Sequence, residues 1–85
     1  MMVKVNIKYL SKYKQLANKN EEELHVDEDM EKTYQTIVGY LNEKYEIKVP
    51  YILMINAMHI NDALAKKVKI VNGDVFTIFP FMSGG

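Results

Sequence analysis

Residues 28–45, EDMEKTYQTIVGYLNEKY, decide the fold because they carry the clearest helical pattern in the chain. Their apolar side chains recur at three- and four-residue steps, namely at Met30, Tyr34, Ile37, Val38, Leu41 and Tyr45. That spacing predicts one amphipathic helix with a single buried stripe. Asp27 or Asp29 is placed to cap its first turn. Gly39 lies inside the helix and has two explanations: close approach to a sheet, or a glycine that is simply tolerated.

The segments before the helix have the pattern of strands. Val3, Val5, Ile7 and Tyr9 alternate with polar neighbours, as in a strand with one buried face. A second strand is predicted over 23–26, with Leu24 and Val26 on one face. Between the two strands, residues 10–20 carry Leu10, Tyr13, Leu16 and Ala17 at near-helical spacing, which predicts a short helical turn or a loop.

The segments after the helix, which Pro50 closes, also have strand character. The apolar run 51–55 predicts a buried central strand, and 58–60 a short returning strand. Asn72-Gly73-Asp74 is a strong turn signal. A final strand over 75–79 ends at Pro80, which lacks an amide donor and therefore suits the end of a strand.

This order of elements predicts an α+β fold in which one principal helix packs on a mixed sheet, the β-grasp layout. With 85 residues the chain has room for one domain. We predict a folded domain over 1–80 and a flexible carrier tail over 81–85. Five extended residues reach roughly 15–17 Å from the last strand.

Composition narrows the function. The chain has 11 acidic residues and 11 basic ones, and every basic residue is Lys. The absence of Arg argues against nucleic-acid recognition. No cysteine is present, which excludes disulfides and thiolate sites. His25 and His59 are isolated, so no metal site is expected. No apolar stretch is long enough to span a membrane, and we expect a cytoplasmic protein.

The end of the sequence carries the most informative chemistry. Gly84 and Gly85 form a strip without side chains that can enter a narrow channel. The terminal carboxylate is an anion at neutral pH and a poor acyl donor until its oxygen becomes a better leaving group. Adenylation by ATP on a partner enzyme provides such a leaving group, and a sulfur nucleophile then yields a thiocarboxylate.

The last 13 residues, Gly73 to Gly85, resemble the MoaD/ThiS family of ubiquitin-like sulfur carriers. The likeness rests on Gly73-Asp74, a short apolar strand, Phe79-Pro80 and the final Ser83-Gly84-Gly85. It is strongest to the small subunit of molybdopterin synthase. The opening strand and the helix placement fit the same family. Phe81 differs, since it stands where the family usually has a second proline.

The resemblance implies a carrier that is not catalytic alone and binds no cofactor itself. An ATP-dependent activating enzyme adenylates Gly85, a sulfur donor protein yields the thiocarboxylate, and the tail enters the large catalytic subunit of molybdopterin synthase. Gly85 would carry the acyl group, and Gly84 beside it would belong to the same catalytic site. The partner-binding residues would be Phe79, Pro80, Phe81, Met82 and Ser83.

Two alternatives stay open at this point. One is a carrier for thiamin synthesis or tRNA thiolation, or a ubiquitin-like modifier of lysines. The other is a β-grasp binding module whose terminal glycines have no role.

Overall fold

The computed structural model describes residues 1–81 of the chain. Five strands and three helices lie within this range, and their bounds are β1 Met2–Tyr9, α1 Lys12–Ala17, β2 Glu21–Asp27, α2 Met30–Tyr45, β3 Tyr51–Ile55, β4 Met58–His59, α3 Ile60–Ala65 and β5 Val75–Pro80. The expectations for Met82, Ser83, Gly84 and Gly85, including a flexible tail, concern residues outside the described range.

The strands form one mixed sheet in the order β2-β1-β5-β3-β4. The strand β1 runs antiparallel to β2 and parallel to β5, while β3 runs antiparallel to both β5 and β4. The first and last strands are therefore central neighbours, and β2 is an edge strand. One long helix lies across this sheet, so the predicted α+β layout is confirmed.

The core lies between α2 and one face of the sheet. Alternation along β1 buries Val3, Val5, Ile7 and Tyr9, as the sequence pattern predicts. The facing helix and the other strands contribute the remaining large core side chains, which include Val26, Met30, Ile37, Leu41, Leu53, Ile55, Phe76 and Ile78. The opposite face of the sheet is called the open face below.

The helix α2 begins at the cap that its sequence predicts. Asp29 is the N-cap, and its side chain accepts a hydrogen bond from the Lys32 amide at 3.0 Å. Met30, Ile37 and Leu41 are buried as expected. Thr33 is also fully buried, and its hydroxyl donates to the carbonyl of Asp27, which ties the helix to the end of β2.

Gly39 does not allow a close approach to the sheet, so the first of its two explanations is wrong. A Cβ built at this position meets no atom of residues 1–81 within 4 Å outside the neighbouring backbone of the helix itself. The glycine is simply tolerated in the helix. Gly73 differs, because the turn before β5 holds it at a φ of 92°, in the left-handed region that favours glycine.

We therefore expect Gly39→Ala to stabilise the protein by about 1 kcal/mol, since Gly costs roughly that much in a helix interior. This raises the melting temperature by roughly 4–8 °C for a domain of this size. Gly73→Ala is the matched control and is expected to destabilise, because it strains the turn. Thermal melts of both variants test the pair. A lower melting temperature for Gly39→Ala would mean that the glycine has a packing role.

The two short helices differ from the sequence pattern. In α1, Tyr13 and Ala17 are buried, but Leu10 and Leu16 remain exposed, so only half of the predicted apolar set faces the core. A helix of 6 residues makes fewer than two turns and cannot bury a longer stripe. The helix α3 was not predicted; it buries Ile60 and Ala63.

Candidate functional site

The tail begins at the end of β5, a strand held on both sides. Ile78 lies opposite Tyr9 of β1, and Pro80 lies opposite Tyr51 of β3, at the end of the sheet. Phe81 is the last described residue, and it is exposed. The four predicted site residues that follow, 82–85, lie beyond the described part of the chain. The sheet therefore fixes the point from which they extend.

Strand alternation separates two of the predicted partner-binding residues. Phe76 and Ile78 are buried on the helix side of β5, and Pro80 follows them in phase beside Tyr51. Phe79 has the opposite phase and lies half-buried on the open face. Phe79 and Pro80 therefore do not share one surface, although they are adjacent in sequence.

An apolar patch surrounds Phe79 on the open face; we define it as Ile52, Met54 and Phe79. Ile52 lies directly opposite Phe79, and Met54 lies one step further along β3, opposite Thr77. All three are half-buried, and none belongs to the core cluster. Ile52 and Met54 were not among the predicted site residues, because the continuous apolar run 51–55 predicts a buried central strand and does not distinguish its two faces.

A second group of side chains lies at the same end of the sheet, on the helix side. Glu22 points inward from β2 and accepts hydrogen bonds from the hydroxyls of Tyr9, Tyr40 and Tyr45 at 2.6, 2.7 and 2.6 Å. We call these four residues the tyrosine–glutamate cluster. The Nζ of Lys19 lies 3.5 Å from the Glu22 carboxylate and neutralises part of its charge. Tyr9 belongs to β1 and Tyr40 and Tyr45 to α2, so one carboxylate joins three elements.

The cluster shifts the pKa values of its own members. Burial raises the pKa of Glu22, but the tyrosine hydrogen bonds and the Lys19 charge outweigh it, so the pKa lies below its ordinary value. Burial, followed by the hydrogen bond to Glu22, raises the pKa values of Tyr9 and Tyr45. Both effects favour one arrangement, a carboxylate that accepts from neutral phenols.

Two further polar side chains, His59 and Tyr51, belong to neither group. His59 caps α3, since its Nδ1 accepts from the Asn61 amide at 3.2 Å. Tyr51 has a buried hydroxyl without a hydrogen-bond partner in the range 1–81, and burial raises its pKa to about 12.

Within residues 1–81 no three His, Asp or Glu side chains gather closely enough to hold a metal ion. No helix there is long and apolar enough to cross a membrane.

Comparison with solved structures defines the class of fold. Small archaeal modifier protein 1 from Methanosarcina acetivorans superimposes with a TM-score of 0.68 at 17% identity, over 100% of this chain and 99% of its own. The HVO 2177 protein of Haloferax volcanii superimposes with a TM-score of 0.75 at 15% sequence identity, over 99% of this chain and 88% of its own. A putative molybdopterin converting factor subunit 1 from Pyrococcus furiosus superimposes with a TM-score of 0.66 at 20% sequence identity, over 94% of this chain and 99% of its own. The fold is thus ubiquitin-like β-grasp.

A family model identifies the group within that fold. The model of the ThiS family matches residues 7–85, which is nearly the whole chain and includes the terminal glycines. The chain belongs to the ThiS family. No curated protein matches it in sequence.

Proposed function

We propose that the chain is a sulfur carrier whose Gly85 carboxylate is adenylated and then converted to a thiocarboxylate. In the first step a carboxylate oxygen attacks the α-phosphorus of ATP on an activating enzyme, and pyrophosphate leaves. In the second step the terminal sulfur of a persulfide on a donor protein attacks the acyl carbon and AMP leaves, and a thiol reductant then cleaves the S–S bond of the resulting acyl disulfide to release the thiocarboxylate. The sulfur then passes to a pterin precursor held by a catalytic subunit.

The observation that carries this proposal is the position from which the tail extends. Pro80 is paired into the sheet, and only five residues separate it from the end of Gly85. A tail of that length reaches roughly 15–17 Å from a fixed point. The apolar patch lies beside the same point on the open face. A partner that takes the tail into its active site can therefore contact Phe79 at the same time.

A second candidate function is a ubiquitin-like modifier, in which the activated Gly85 carbonyl joins the amine of a lysine. It is favoured by the likeness to a solved protein named as a small archaeal modifier. Both functions begin with the same adenylate and differ in the nucleophile that follows, an amine or a sulfur. A carrier for thiamin synthesis or tRNA thiolation uses the same thiocarboxylate and differs only in the acceptor.

The test is the state of Gly85 in protein purified from its own cells. A thiocarboxylate exchanges one oxygen for sulfur, a mass change close to that of one methionine oxidation, and the chain has 6 methionines. Alkylation resolves the two, because the chain contains no cysteine and a thiol reagent can modify only a thiocarboxylate.

The carrier proposal expects one alkyl group, located on the C-terminal peptide. An isopeptide bond between Gly85 and lysine, without thiocarboxylate, would support the modifier instead. An unmodified Gly85 in all preparations, or a chain that continues past Gly85, would contradict both.

The apolar patch and the exposed Phe81 beside it in sequence give a separate prediction. We expect Phe79→Ala and Phe81→Ala to raise the KM of the activating enzyme for this chain by about 10–100-fold, because large aromatic side chains often dominate interface energetics. The kcat should stay nearly unchanged, since neither side chain reaches the acyl carbon. Val71→Ala is the matched control, an exposed apolar side chain that precedes β5, away from the tail. Equal effects of all three variants would exclude the patch as a docking surface.

A further inference from the structure

The strand β2 has backbone groups that no other strand within residues 1–81 pairs with. It is the last strand of the sheet and pairs only with β1 in the described range. Hydrogen bonds from Tyr9 N to the Asn20 carbonyl and from Glu28 N to the Met1 carbonyl fix the phase of this pairing. Even-numbered residues of β2 therefore point their backbone groups at β1. Those of Glu21, Glu23 and His25 point away from the sheet.

The side chains of these same residues lie on the open face. Glu21, Glu23 and His25 are exposed and alternate with the inward-facing Glu22 and Leu24. Two carboxylates thus stand along a free hydrogen-bonding edge. Their spacing of two residues is about 6.8 Å along the strand.

The other edge of β2 shows which kind of strand pairs with it. The strand β1 places Lys4 and Lys8 on the open face. The valine and isoleucine residues that alternate with its polar residues lie on the helix side. Lys8 lies opposite Glu21, and the Nζ of Lys4 lies 3.6 Å from the Glu23 carboxylate. The strand that already pairs with β2 therefore has basic residues on the open face, near the glutamates of β2, and apolar residues on the helix side.

We propose that the free edge of β2 docks an extended segment of a partner protein that alternates Lys or Arg with apolar residues. The segment adds as a sixth strand beside the five of the sheet and hydrogen-bonds to the backbone of Glu21, Glu23 and His25. Its basic side chains meet the two carboxylates on the open face. Its apolar side chains contact Leu24 and Tyr40, which are half-buried on the helix side.

Charge excludes a second copy of this chain as the occupant. Two β2 strands side by side would place glutamates of both copies together on the open face, and like charges across strands are destabilising. Charged edges also protect sheets against aggregation, and the same charges select a basic strand. The strand β1 separates the docking edge from the apolar patch, which lies on β5 and β3. The proposal therefore stands independently of the chemistry at Gly85.

The experiment titrates isotope-labelled protein with a capped peptide of about seven residues that alternates Lys and Val, a length that covers the free edge. The control peptide carries Glu in place of every Lys. We expect amide shifts confined to β2 and Tyr40, and slower hydrogen exchange at Glu21, Glu23 and His25, with the Lys peptide only. High salt should weaken binding. Equal binding of both peptides, shifts centred on Ile52 and Phe79, or displacement of β1 would overturn the proposal.

Two variants separate charge from backbone pairing. The double change Glu21→Gln with Glu23→Gln should weaken Lys-peptide binding by about tenfold, whereas Glu31→Gln with Glu43→Gln, which removes the same charge from exposed sites on α2, should not. His25→Pro removes an amide that points away from β1, so the fold is retained and the added strand loses a donor. A thermal melt checks folding. Full affinity in both edge variants would refute strand addition.

Discussion

Replacing Glu22 with Leu is expected to lower the free energy of unfolding by about 2–4 kcal/mol, because it leaves phenol donors without their acceptor. The largest share of this loss is expected at Tyr9, because it is fully buried and water cannot replace Glu22 as the acceptor for its hydroxyl. For a domain of this size the loss corresponds to roughly 10–30 °C in melting temperature. Glu23→Leu, a neighbour with an exposed side chain on the open face, is the control and should change stability little.

A double-mutant cycle tests whether the hydrogen bonds cause this loss. Tyr9→Phe alone should destabilise moderately, because Glu22 keeps its bonds to Tyr40 and Tyr45. Combined with Glu22→Leu, it should recover part of the loss, since removing both partners of a buried hydrogen bond leaves nothing unsatisfied. Additive losses in the cycle would show that Glu22 acts through packing alone.

The same cluster predicts how stability depends on pH. The pKa of Glu22 is lowered by folding, so its contribution is present above its ordinary pKa and is lost as the pH falls through the lowered value. The pKa values of Tyr9 and Tyr45 are raised, so their contribution is present below about pH 10 and is lost as the pH rises further. The free energy of unfolding of the wild type, measured by denaturation at a series of pH values, should fall at both the acidic and the alkaline end. Glu22→Leu should flatten the acidic fall.

Much of the fold could be predicted from the sequence because its strongest patterns are local. Alternation along β1 and the stripe of α2 depend only on the period of each element. The β1 pattern is confirmed, and of the six residues of the α2 stripe Met30, Ile37 and Leu41 are buried while the other three are half-buried. The short helices were harder. Leu16 fits the helical spacing of α1 yet is exposed, because which side of a six-residue helix is buried depends on how the chain turns at both of its ends.

In the candidate site, too, local features could be predicted from the sequence, whereas features that depend on strand phase and long-range pairing could not. The family resemblance groups Phe79 and Pro80 as partner-binding residues, and only the strand phase shows that they lie on opposite faces. Ile52 and Met54 join Phe79 through the register of β3 with β5, which is a long-range pairing. Glu22 could have been noticed, since it has the phase of Leu24 and Val26 on β2. The three tyrosines that justify a carboxylate there come from two other elements.

The largest functional effect is expected from the length of the tail. Deleting Gly85, or adding one alanine after it, should abolish thiocarboxylate formation with the cognate activating enzyme and sulfur donor. Transfer requires reacting atoms within about 3–3.5 Å of each other. One residue more or fewer displaces the acyl carbon by roughly 3.3–3.6 Å along an extended chain. Since Pro80 is fixed in the sheet, the partner's active site has little means of absorbing that displacement.

Stability and docking should be spared by the same changes, which separates chemistry from folding. Residue 85 lies beyond the core elements, so its loss should change the free energy of unfolding by no more than about 0.5 kcal/mol. Binding through the apolar patch should persist, so the deletion variant is expected to inhibit the wild type by competing for the enzyme. Phe81→Ala gives the opposite pattern, weak docking with intact chemistry once bound. If the deletion variant keeps near-normal sulfur transfer, Gly85 is not the carrier residue, and a binding module without acyl chemistry explains the fold better.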